Sequence, residues 1–295
     1  MGRRPRLALV TLPIAVTFIF STLADSSEAR RGSKRVPPLT KDGLPNVQSE
    51  AAFIFDLARG AVVYAKNPDV EREIASTGKI FVALVVLERK LNLDGETRIT
   101  DVDRAHAKKG ARSRLKVGAR IRNRDLLAAM LIGSDNRAPT ALGRAVGLDP
   151  AQLTAAMTAR AAKMGLVRTR FADPSGLRGN VSTAREIAMA LAMAIRHPEI
   201  AMMVATRSYQ VVSRDMRRAV HYNNTNRLLH GSTEVLGGKT GFTTAAGYCL
   251  ITAADVDGRR LVMAFLGADG KLTRFADYRR VRLWLKNQLA VHSTP

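Results

Sequence analysis

Strand-forming segments lie towards both ends of this chain, and a long helical stretch separates them. Two short apolar runs at 51–56 and 61–64 flank an Arg-Gly turn and predict a β-hairpin. Three more strands are predicted near the other end, at 208–213, 246–254 and 260–267. Because short turns join the terminal strands, we expect one largely antiparallel sheet built from both ends of the chain. The fold class is therefore α/β (α+β), with a helical region inserted between the two groups of strands.

The helical stretch begins with a segment that is apolar on nearly all sides. This helix, predicted over 78–91, has the pattern of one buried in the core. Further helices are predicted at 125–146, 150–165 and 183–196, and a last one at 274–289. With 295 residues, the chain is long enough to bury a large core in one or two domains.

The amino terminus has the features of a secretory signal peptide. Three arginines within the first six residues precede 17 almost continuously apolar residues at 7–23, and Thr22-Leu23-Ala24 offers small residues for cleavage. The alternative is a membrane anchor. The run lies at the short end of the roughly 17–25 residues needed to span a bilayer, and Pro13 interrupts it. We therefore expect export to the periplasm or cell-wall space of a bacterium, with membrane association if the signal is not cleaved.

The organisation after the signal peptide at 1–24 follows from composition. A stretch rich in Ser, Arg, Lys and Pro at 25–47 is predicted to be a linker. One globular domain is expected over 48–285, and a short tail over 286–295.

The composition argues against an intramolecular disulfide and a metal site, and it does not by itself identify the binding partner. The lone cysteine, Cys249, rules out an intramolecular disulfide, and five scattered histidines without a Cys/His cluster predict no metal site. The net charge of +22 indicates contact with something anionic, such as nucleic acid, acidic lipid head groups or cell-wall polymers. The basic residues are spread along the chain without a nucleic-acid-binding motif. We therefore expect no nucleic-acid partner and favour a basic surface that contacts anionic wall or membrane material.

A serine and a lysine at the start of the apolar helix give the first indication of chemistry. The chain has no Gly-x-Ser-x-Gly elbow and no histidine in a recognisable catalytic context, so a serine nucleophile needs another base. Ser76 and Lys79 are three residues apart and would share a helix face. The helix N-terminus adds positive potential near the serine. Apolar surroundings would lower the pKa of the lysine, which could then act as a base.

The same spacing occurs a second time, at Ser113 and Lys116, so the pair alone has little specificity. The second copy runs directly into Val117-Gly118, a predicted turn, and an exposed basic loop is the simpler interpretation of it. The choice of Ser76 therefore depends on what else the chain contains.

Two polar triplets further along the chain support Ser76. Ser134-Asp135-Asn136 ends an apolar helix, and Lys239-Thr240 is followed by a glycine and preceded by two. Each triplet alone could be a turn or a strand edge. With S-x-x-K they form, in this order, the signature of penicillin-binding proteins and class A β-lactamases. The first members of the three motifs are separated by 58 and 105 positions.

Over about residues 48–285 the chain resembles the serine D-Ala-D-Ala carboxypeptidases, the low-molecular-mass penicillin-binding proteins. The segments that carry the resemblance besides the motifs are 110–142, 171–177, 224–229 and 238–248. The resemblance implies a β-lactamase/DD-peptidase-like fold, a mostly antiparallel sheet flanked by helices, and a catalytic domain at 48–285.

Two positions depart from the family's usual pattern. Gly78 stands where the family usually has threonine directly before the catalytic lysine, and Asp173-Pro174 stands where it often has Asn-Pro. Neither change removes a reacting group. Glycine is a poor helix former, so Gly78 is expected to loosen the first helical turn.

The resemblance assigns roles to the three motifs. Ser76 would attack the carbonyl of the penultimate D-alanine in a peptidoglycan peptide, and Lys79 would accept its proton. Ser134, held by Lys239, would pass a proton to the departing D-alanine. Asn136 would bind the substrate amide and orient the lysine base. Water would then release the acyl-enzyme.

The resemblance also implies how the substrate is held. The backbone N–H groups of Ser76 and Phe242 would form the oxyanion hole. The implied substrate-binding residues are Lys239, Thr240, Gly241, Thr243 and Arg274. Among them, the arginine suits the terminal carboxylate. No metal or organic cofactor is implied, and β-lactams, which mimic the D-Ala-D-Ala end, should acylate the same serine.

Three alternatives to a carboxypeptidase remain. A D,D-endopeptidase would use the same residues on peptidoglycan cross-links. Few residues follow the catalytic region here, as in the single-domain members of the family, which include such endopeptidases. A class A β-lactamase needs a Glu-x-x-Leu-Asn loop between the second and third motifs, and the chain has none there. A non-catalytic wall-binding protein on the same fold would not need complete motifs.

Overall fold

The computed structural model of the chain describes residues 1–2, 36–108, 110–213, 215 and 219–292. The predicted signal peptide, apart from its first two residues, lies outside the described residues. The strands are β1 (Ala51–Asp56), β2 (Ala61–Lys66), β3 (Arg72–Glu73), β4 (Glu96–Arg98), β5 (Arg120–Arg122), β6 (Val181–Ser182), β7 (Ser208–Val211), β8 (Val220–Asn223), β9 (Val235–Thr243), β10 (Gly247–Val256) and β11 (Arg259–Ala268). The α-helices are α1 (Lys79–Glu88), α2 (Asp101–His106), α3 (Asn123–Leu131), α4 (Ala138–Ala145), α5 (Pro150–Lys163), α6 (Ala184–Ala194), α7 (Pro198–Ala205) and α8 (Thr273–His292). Short 3₁₀ helices occupy Ala75–Gly78 and Arg227–His230.

Five strands form the central sheet, in the order β2-β1-β11-β10-β9. All neighbouring pairs are antiparallel, and β1 pairs directly with β11, with Ala51 opposite Leu266. The N-terminal hairpin therefore lies beside strands from the far end of the chain. The predicted antiparallel sheet, built from both ends around a helical insertion, is confirmed.

The central sheet packs against helices on both faces. Phe53 in β1 and Ala264 in β11 belong to the larger core, which includes apolar side chains of α1, α3 and α6. Ile54 and Met263, their neighbours along the same strands, belong to a second core that is completed by α8. Successive residues of a strand point to opposite faces, so consecutive apolar residues in β1 and β11 supply both cores.

One predicted helix is wrong in its extent. The helix expected over 125–146 is two helices, α3 and α4, with an irregular segment between them that contains Ser134. The backbone of Ser134 has φ of 59°, which no continuous helix allows. Asp135 accepts the backbone N–H of Arg137 at 3.0 Å, and Pro139 lies in the first turn of α4. A turn-forming aspartate and a proline at a helix start explain why the helix stops and restarts.

The third C-terminal strand of the sheet is also not the one expected. Residues 208–213 contain β7, which pairs with β8 in a separate two-stranded sheet. The strand beside β10 is β9, which contains the Lys-Thr-Gly triplet, a segment that its residues alone indicate only as a turn or a strand edge. Glycines lower the strand propensity of this segment. A Cβ on Gly238 would lie 2.2 Å from the carbonyl oxygen of Ile251, so close approach to β10 requires glycine there.

The ends of the domain extend beyond the predicted boundaries. Within the predicted linker, Leu39 and Pro45 form a β-bridge, and Val47 is buried in the second core. At the other end, α8 continues past residue 285 to His292. In the part of the chain that the structure describes, no single helix is long and apolar enough to cross a membrane. Helices α6 and α7 meet that criterion only as a pair bent by 111°.

Candidate active site

Ser76 lies in the 3₁₀ helix that directly precedes α1, and Lys79 is the first residue of α1. Residues three apart in a 3₁₀ turn lie one above the other, and here Lys79 Nζ is 3.1 Å from Ser76 Oγ. The two side chains share one face of the helix, as their spacing predicts, and the turn that carries Ser76 is 3₁₀. Ala75 has φ of 47°, a conformation that is rare for a residue with a Cβ and recurs at functional sites.

The Lys79 amine is completely buried among polar partners. It contacts Asn136 Oδ1 at 2.6 Å, the Ser134 carbonyl oxygen at 2.9 Å and Ser134 Oγ at 3.3 Å. Burial lowers the pKa of Lys79 to about 7, although the carboxylates of Asp135 and Asp173 act in the opposite direction. At neutral pH a large share of these amines is therefore uncharged and able to accept a proton.

A second buried lysine approaches Ser134 from the sheet. Lys239, in β9, donates to Ser134 Oγ at 2.8 Å and to the Thr240 carbonyl at 2.9 Å. Burial, with Lys79 and Arg274 as positive neighbours, lowers the pKa of Lys239 well below its usual range. Ser134 Oγ thus lies between two lysine amines, in a position to relay a proton.

The edge strand of the sheet forms the wall opposite Ser134. Strand β9 has no further strand beyond it in the central sheet, and a Cβ on Gly241 would lie 2.9 Å from the backbone nitrogen of Ser76. The strand backbone therefore passes directly beside the start of the 3₁₀ helix. Phe242 follows Gly241, is half exposed and stacks on Tyr248 with 4.1 Å between ring centroids.

A cleft of about 1460 Å³ opens over this junction. The predicted site residues that line it are Ser76, Ser134, Asn136, Thr240, Gly241, Phe242, Thr243 and Arg274. Lys79 and Lys239 lie behind this lining with fully buried side chains. The structure thus gathers every predicted site residue in one place, but it puts the Lys239 amine behind Ser134 and not on the cleft surface.

Arg274 closes one end of the cleft. Its Nη1 atom donates to the carbonyl oxygens of Gly241 and Cys249, at 2.8 and 3.2 Å, and its guanidinium lies over the Tyr248 ring. Burial lowers the pKa of Arg274 to about 10. Among the described residues, no group of three or more His, Cys, Asp or Glu side chains could hold a metal ion.

Comparison with known proteins agrees with this geometry. The sequence profile of the D-alanyl-D-alanine carboxypeptidase family matches residues 39–270. The chain belongs to the D-alanyl-D-alanine carboxypeptidase family. It is 32% identical to the D-alanyl-D-alanine endopeptidase of Escherichia coli K12, over 96% of this chain and 88% of that protein. The endopeptidase of Pseudomonas aeruginosa is 35% identical over 96% and 89%.

A solved structure of the same family shares the fold. The D-alanyl-D-alanine carboxypeptidase of Mycobacterium tuberculosis H37Rv superposes with a TM-score of 0.74 at 28% identity, covering 86% of this chain and 95% of that one. The resemblance inferred from the motifs, the DD-peptidase-like fold and the assignment as a serine D-Ala-D-Ala hydrolase are thereby confirmed.

One of the two departures from the family pattern has a steric explanation. Gly78 has ordinary helical dihedral angles, so its backbone does not require glycine. A Cβ at this position would lie 2.9 Å from Phe171 Cε1, and the Phe171 ring packs against Phe81 at 4.8 Å between centroids. The space that a threonine side chain would occupy is therefore filled by an aromatic ring from the 171–177 segment.

The second departure supports the nucleophile. The Asp173 carboxylate accepts the backbone N–H groups of Ser175, Gly176 and Leu177. The turn that results presents the Ser175 carbonyl oxygen to the Ser76 hydroxyl at 3.2 Å. Sequence reasoning noted Asp173 only as a departure. The Asp-Pro-Ser-Gly order, typical of a side-chain-stabilised turn, was the available signal.

A hydrogen-bond network behind Ser134 was not predicted at all. Asp135 is buried and accepts hydrogen bonds from Ser113 Oγ at 2.6 Å and from Tyr222 Oη at 2.9 Å. Ser113, the serine of the second S-x-x-K copy, therefore holds the second motif, while Lys116 is exposed. The network fixes the backbone between Ser134 and Asn136, whose side chains contact Lys79.

Proposed function

We propose that this protein is a serine-type D-alanyl-D-alanine carboxypeptidase that acts on peptidoglycan stem peptides through an acyl-enzyme on Ser76. The observation that supports this most directly is the fully buried Lys79 amine, 3.1 Å from Ser76 Oγ and with a pKa lowered to about 7. A base with a pKa near the operating pH combines a high neutral fraction with useful basicity.

In the acylation step, the lone pair of neutral Lys79 takes the proton of Ser76 while Oγ attacks the carbonyl carbon of the penultimate D-alanine. Asn136 Oδ1 and the Ser134 carbonyl hold the N–H groups of the lysine, so the lone pair is directed at the serine. The backbone N–H groups of Ser76 and of Phe242, which follows Gly241 where the edge strand passes beside Ser76, would stabilise the oxyanion.

Collapse of the tetrahedral intermediate needs a proton on the leaving nitrogen. Ser134 Oγ, 3.3 Å from Lys79 Nζ and 2.8 Å from Lys239 Nζ, connects the two amines and faces the cleft. It therefore gives its proton to the departing nitrogen and takes one from the protonated Lys79 amine, which returns to its neutral form. Thr240, Thr243 and Arg274 would bind the carboxylate of the departing D-alanine, and a water molecule would then hydrolyse the acyl-enzyme.

Replacing each serine of the two S-x-x-K copies tests this assignment. Ser76→Ala should abolish both covalent labelling by a fluorescent penicillin and D-alanine release from a D-Ala-D-Ala peptide. Ser113→Ala is the matched control and should still be labelled, at a reduced rate, because it only loosens Asp135. Normal labelling of Ser76→Ala, or loss of labelling in Ser113→Ala alone, would show that the nucleophile is misassigned.

Cleavage of peptidoglycan cross-links is the second candidate, and the similarity to two endopeptidases supports it. The two endopeptidases of Escherichia coli and Pseudomonas aeruginosa align with 96% of this chain and at least 88% of their own length. The same catalytic groups serve both reactions, which differ only in what leaves with the scissile nitrogen. Digestion of purified cross-linked and uncross-linked muropeptides by the same enzyme preparation, compared as kcat/KM, decides between them.

Trapped β-lactams should leave the enzyme slowly. No Glu-x-x-Leu-Asn sequence lies between the second and third motifs. Asp173, the carboxylate of the loop beside Ser76, is occupied by three backbone N–H groups. We therefore propose that β-lactams are covalent inhibitors of this enzyme and not its substrates. Intact-mass measurement should find the acyl adduct, and fast loss of that adduct would argue for a β-lactamase.

We also propose that the protein is exported and that its basic surface retains it on anionic wall or membrane material. Cleavage after Ala24 would remove three of the 47 basic residues and none of the 25 acidic ones, leaving a net charge of +19. Exposed charges are screened over about 8 Å at physiological salt. Retention on purified sacculi or anionic vesicles should fall steeply with salt, whereas hydrolysis of a small peptide should change much less. N-terminal sequencing of the exported protein should begin near Asp25.

A further inference from the structure

The lining of the catalytic cleft carries more positive charge than the proposed reaction uses. Among the described residues, the basic side chains that line the cleft are those of Arg178, Arg227, His230, Lys271 and Arg274, and the one carboxylate is that of Glu73. A carboxypeptidase releases D-alanine, which has a single carboxylate. Arg274, with the threonines of β9, is sufficient to bind it.

Arg227 and Lys271 lie next to Arg274. Lys271 is three positions before Arg274, just ahead of the first turn of α8, where the helix N-terminus adds positive potential. Arg227 begins the 3₁₀ helix Arg227–His230, and its charge is near enough to Arg274 to help lower the pKa of that guanidinium. We name Arg227 and Lys271 the basic rim.

The basic rim has no internal counter-charge in the structure. Arg227 and Lys271 are exposed, and neither side chain has a hydrogen bond or an ion pair within the described ranges. Many other arginines of the chain are paired with carboxylates, including Arg185 with Asp69 and Arg282 with Glu234. Two unpaired cations beside a third, at the mouth of a substrate cleft, raise the local concentration of anions.

Resting on the proposed function, we propose that the basic rim binds a second carboxylate on the leaving group, so that the enzyme prefers an acidic leaving residue to a neutral one of the same size. Arg274 would hold the carboxylate next to the scissile nitrogen, and the rim lines the same cleft beside it. A leaving residue with an acidic side chain, or the acidic acceptor strand of a cross-link, extends to that position. D-alanine, with only a methyl side chain, does not.

The test compares two peptides of equal size that differ by one charge. The substrates are diacetyl-L-lysyl-D-alanyl-D-glutamate and the matching D-glutamine peptide, with the D-alanyl-D-alanine peptide as reference. The measured quantity is the ratio of kcat/KM for the D-glutamate peptide to that for the D-glutamine peptide. We expect a ratio of about five for the unaltered enzyme at low salt, within the range of exposed ion pairs, and a decline as salt is raised.

Two double variants remove the same number of charges from different places. Arg227→Gln/Lys271→Gln should bring the ratio close to one. Arg59→Gln/Arg89→Gln, which changes exposed arginines in the β1–β2 turn and after α1, should keep the ratio of the unaltered enzyme. Thermal unfolding of each variant checks that the fold is retained.

The outcomes separate this inference from the proposed function. Three results would overturn the inference and leave the carboxypeptidase activity established. They are a ratio near one in the unaltered enzyme, cleavage of the reference peptide alone, and a ratio that does not change when the charges of the basic rim are removed. No cleavage of the reference peptide would refute the proposed function, and the inference with it.

Discussion

The buried Lys79 amine gives acylation a definite pH dependence. Lys79 must be neutral to take the Ser76 proton, so the acylation rate should follow its neutral fraction. Burial lowers its pKa to about 7. About one tenth of the amines are then neutral at pH 6, and about nine tenths at pH 8. The second-order rate constant for acylation by a penicillin should therefore rise about tenfold from pH 6 to pH 8 and then level off.

Rapid-mixing measurements with a fluorescent penicillin between pH 5.5 and 9.5 provide the assay. An unperturbed lysine with a pKa of 10.5 would give a different curve, in which the rate keeps rising about tenfold per pH unit up to pH 9 and beyond. A continuous rise of that kind would refute the idea that burial sets the base. A rate constant for acylation that stops changing with pH above the pKa of Lys79 would support the idea.

A nearby carboxylate offers a second check on the same reasoning. Asp173 raises the pKa of Lys79 in the folded protein, against the larger effect of burial. Asp173→Asn removes that charge and keeps one side-chain oxygen for the turn, so the pKa of Lys79 should fall. A lower pKa leaves the amine neutral at lower pH, and the acidic limb of the profile should shift to lower pH. Asp94→Asn, at an exposed carboxylate outside the cleft, should leave the limb in place.

Three further outcomes follow from individual contacts. Gly78→Thr should cost about 1–3 kcal/mol in the free energy of unfolding, because its Cβ would meet the Phe171 ring, and calorimetry should show a lower Tm. Tyr222→Phe should cost about 1–3 kcal/mol and slow penicillin acylation, because buried Asp135 loses a donor. The thiol of Cys249 is fully buried and its pKa is raised to about 11, so a thiol reagent should modify it only after unfolding.

Each outcome has its control. In a Phe171→Leu background Gly78→Thr should cost less, and strictly additive losses would contradict the steric explanation. Tyr209→Phe removes a comparable hydroxyl bond to Asp125, 2.7 Å long, and should lower stability without slowing acylation. Modification of Cys249 in the folded protein within minutes would show that the thiol is accessible to solvent and contradict its burial.

The chemistry of the site could be predicted from the sequence because its three motifs are short and local. The spacing of three between Ser76 and Lys79 recurs at Ser113 and Lys116, so the two polar triplets were needed to choose between the copies. The antiparallel sheet could be predicted because its strands at both ends are apolar runs separated by short turns. Apolar runs bounded by turn residues can be read from the order and composition of the residues alone.

The parts that could not be predicted depend on contacts across long distances in the chain. The break between α3 and α4 has local signals in Asp135 and Pro139, but the buried hydrogen bonds of Asp135 come from Ser113 and from Tyr222, 87 positions away. Strand β9 is a strand because β10 pairs with it, although its glycines argue against that structure locally. The arrangement of Asp173 around the nucleophile likewise becomes apparent only when the 171–177 segment folds back on the 3₁₀ helix.

The nucleophile is held between two backbones that belong to different parts of the fold. A Cβ on Gly241 would lie 2.9 Å from the Ser76 nitrogen, and one on Gly176 would lie 2.8 Å from the same atom, from the opposite element. Gly176 also has φ of 78°, which favours glycine. The sheet edge and the Asp173 turn thus fix the Ser76 amide, the proposed oxyanion donor, independently of the lysine behind it. Precise placement of such a donor is what electrostatic catalysis requires. Because the helical insertion and the sheet each supply one of these backbones, the site can form only where the two layers meet, which explains why motifs so far apart in the chain act as one.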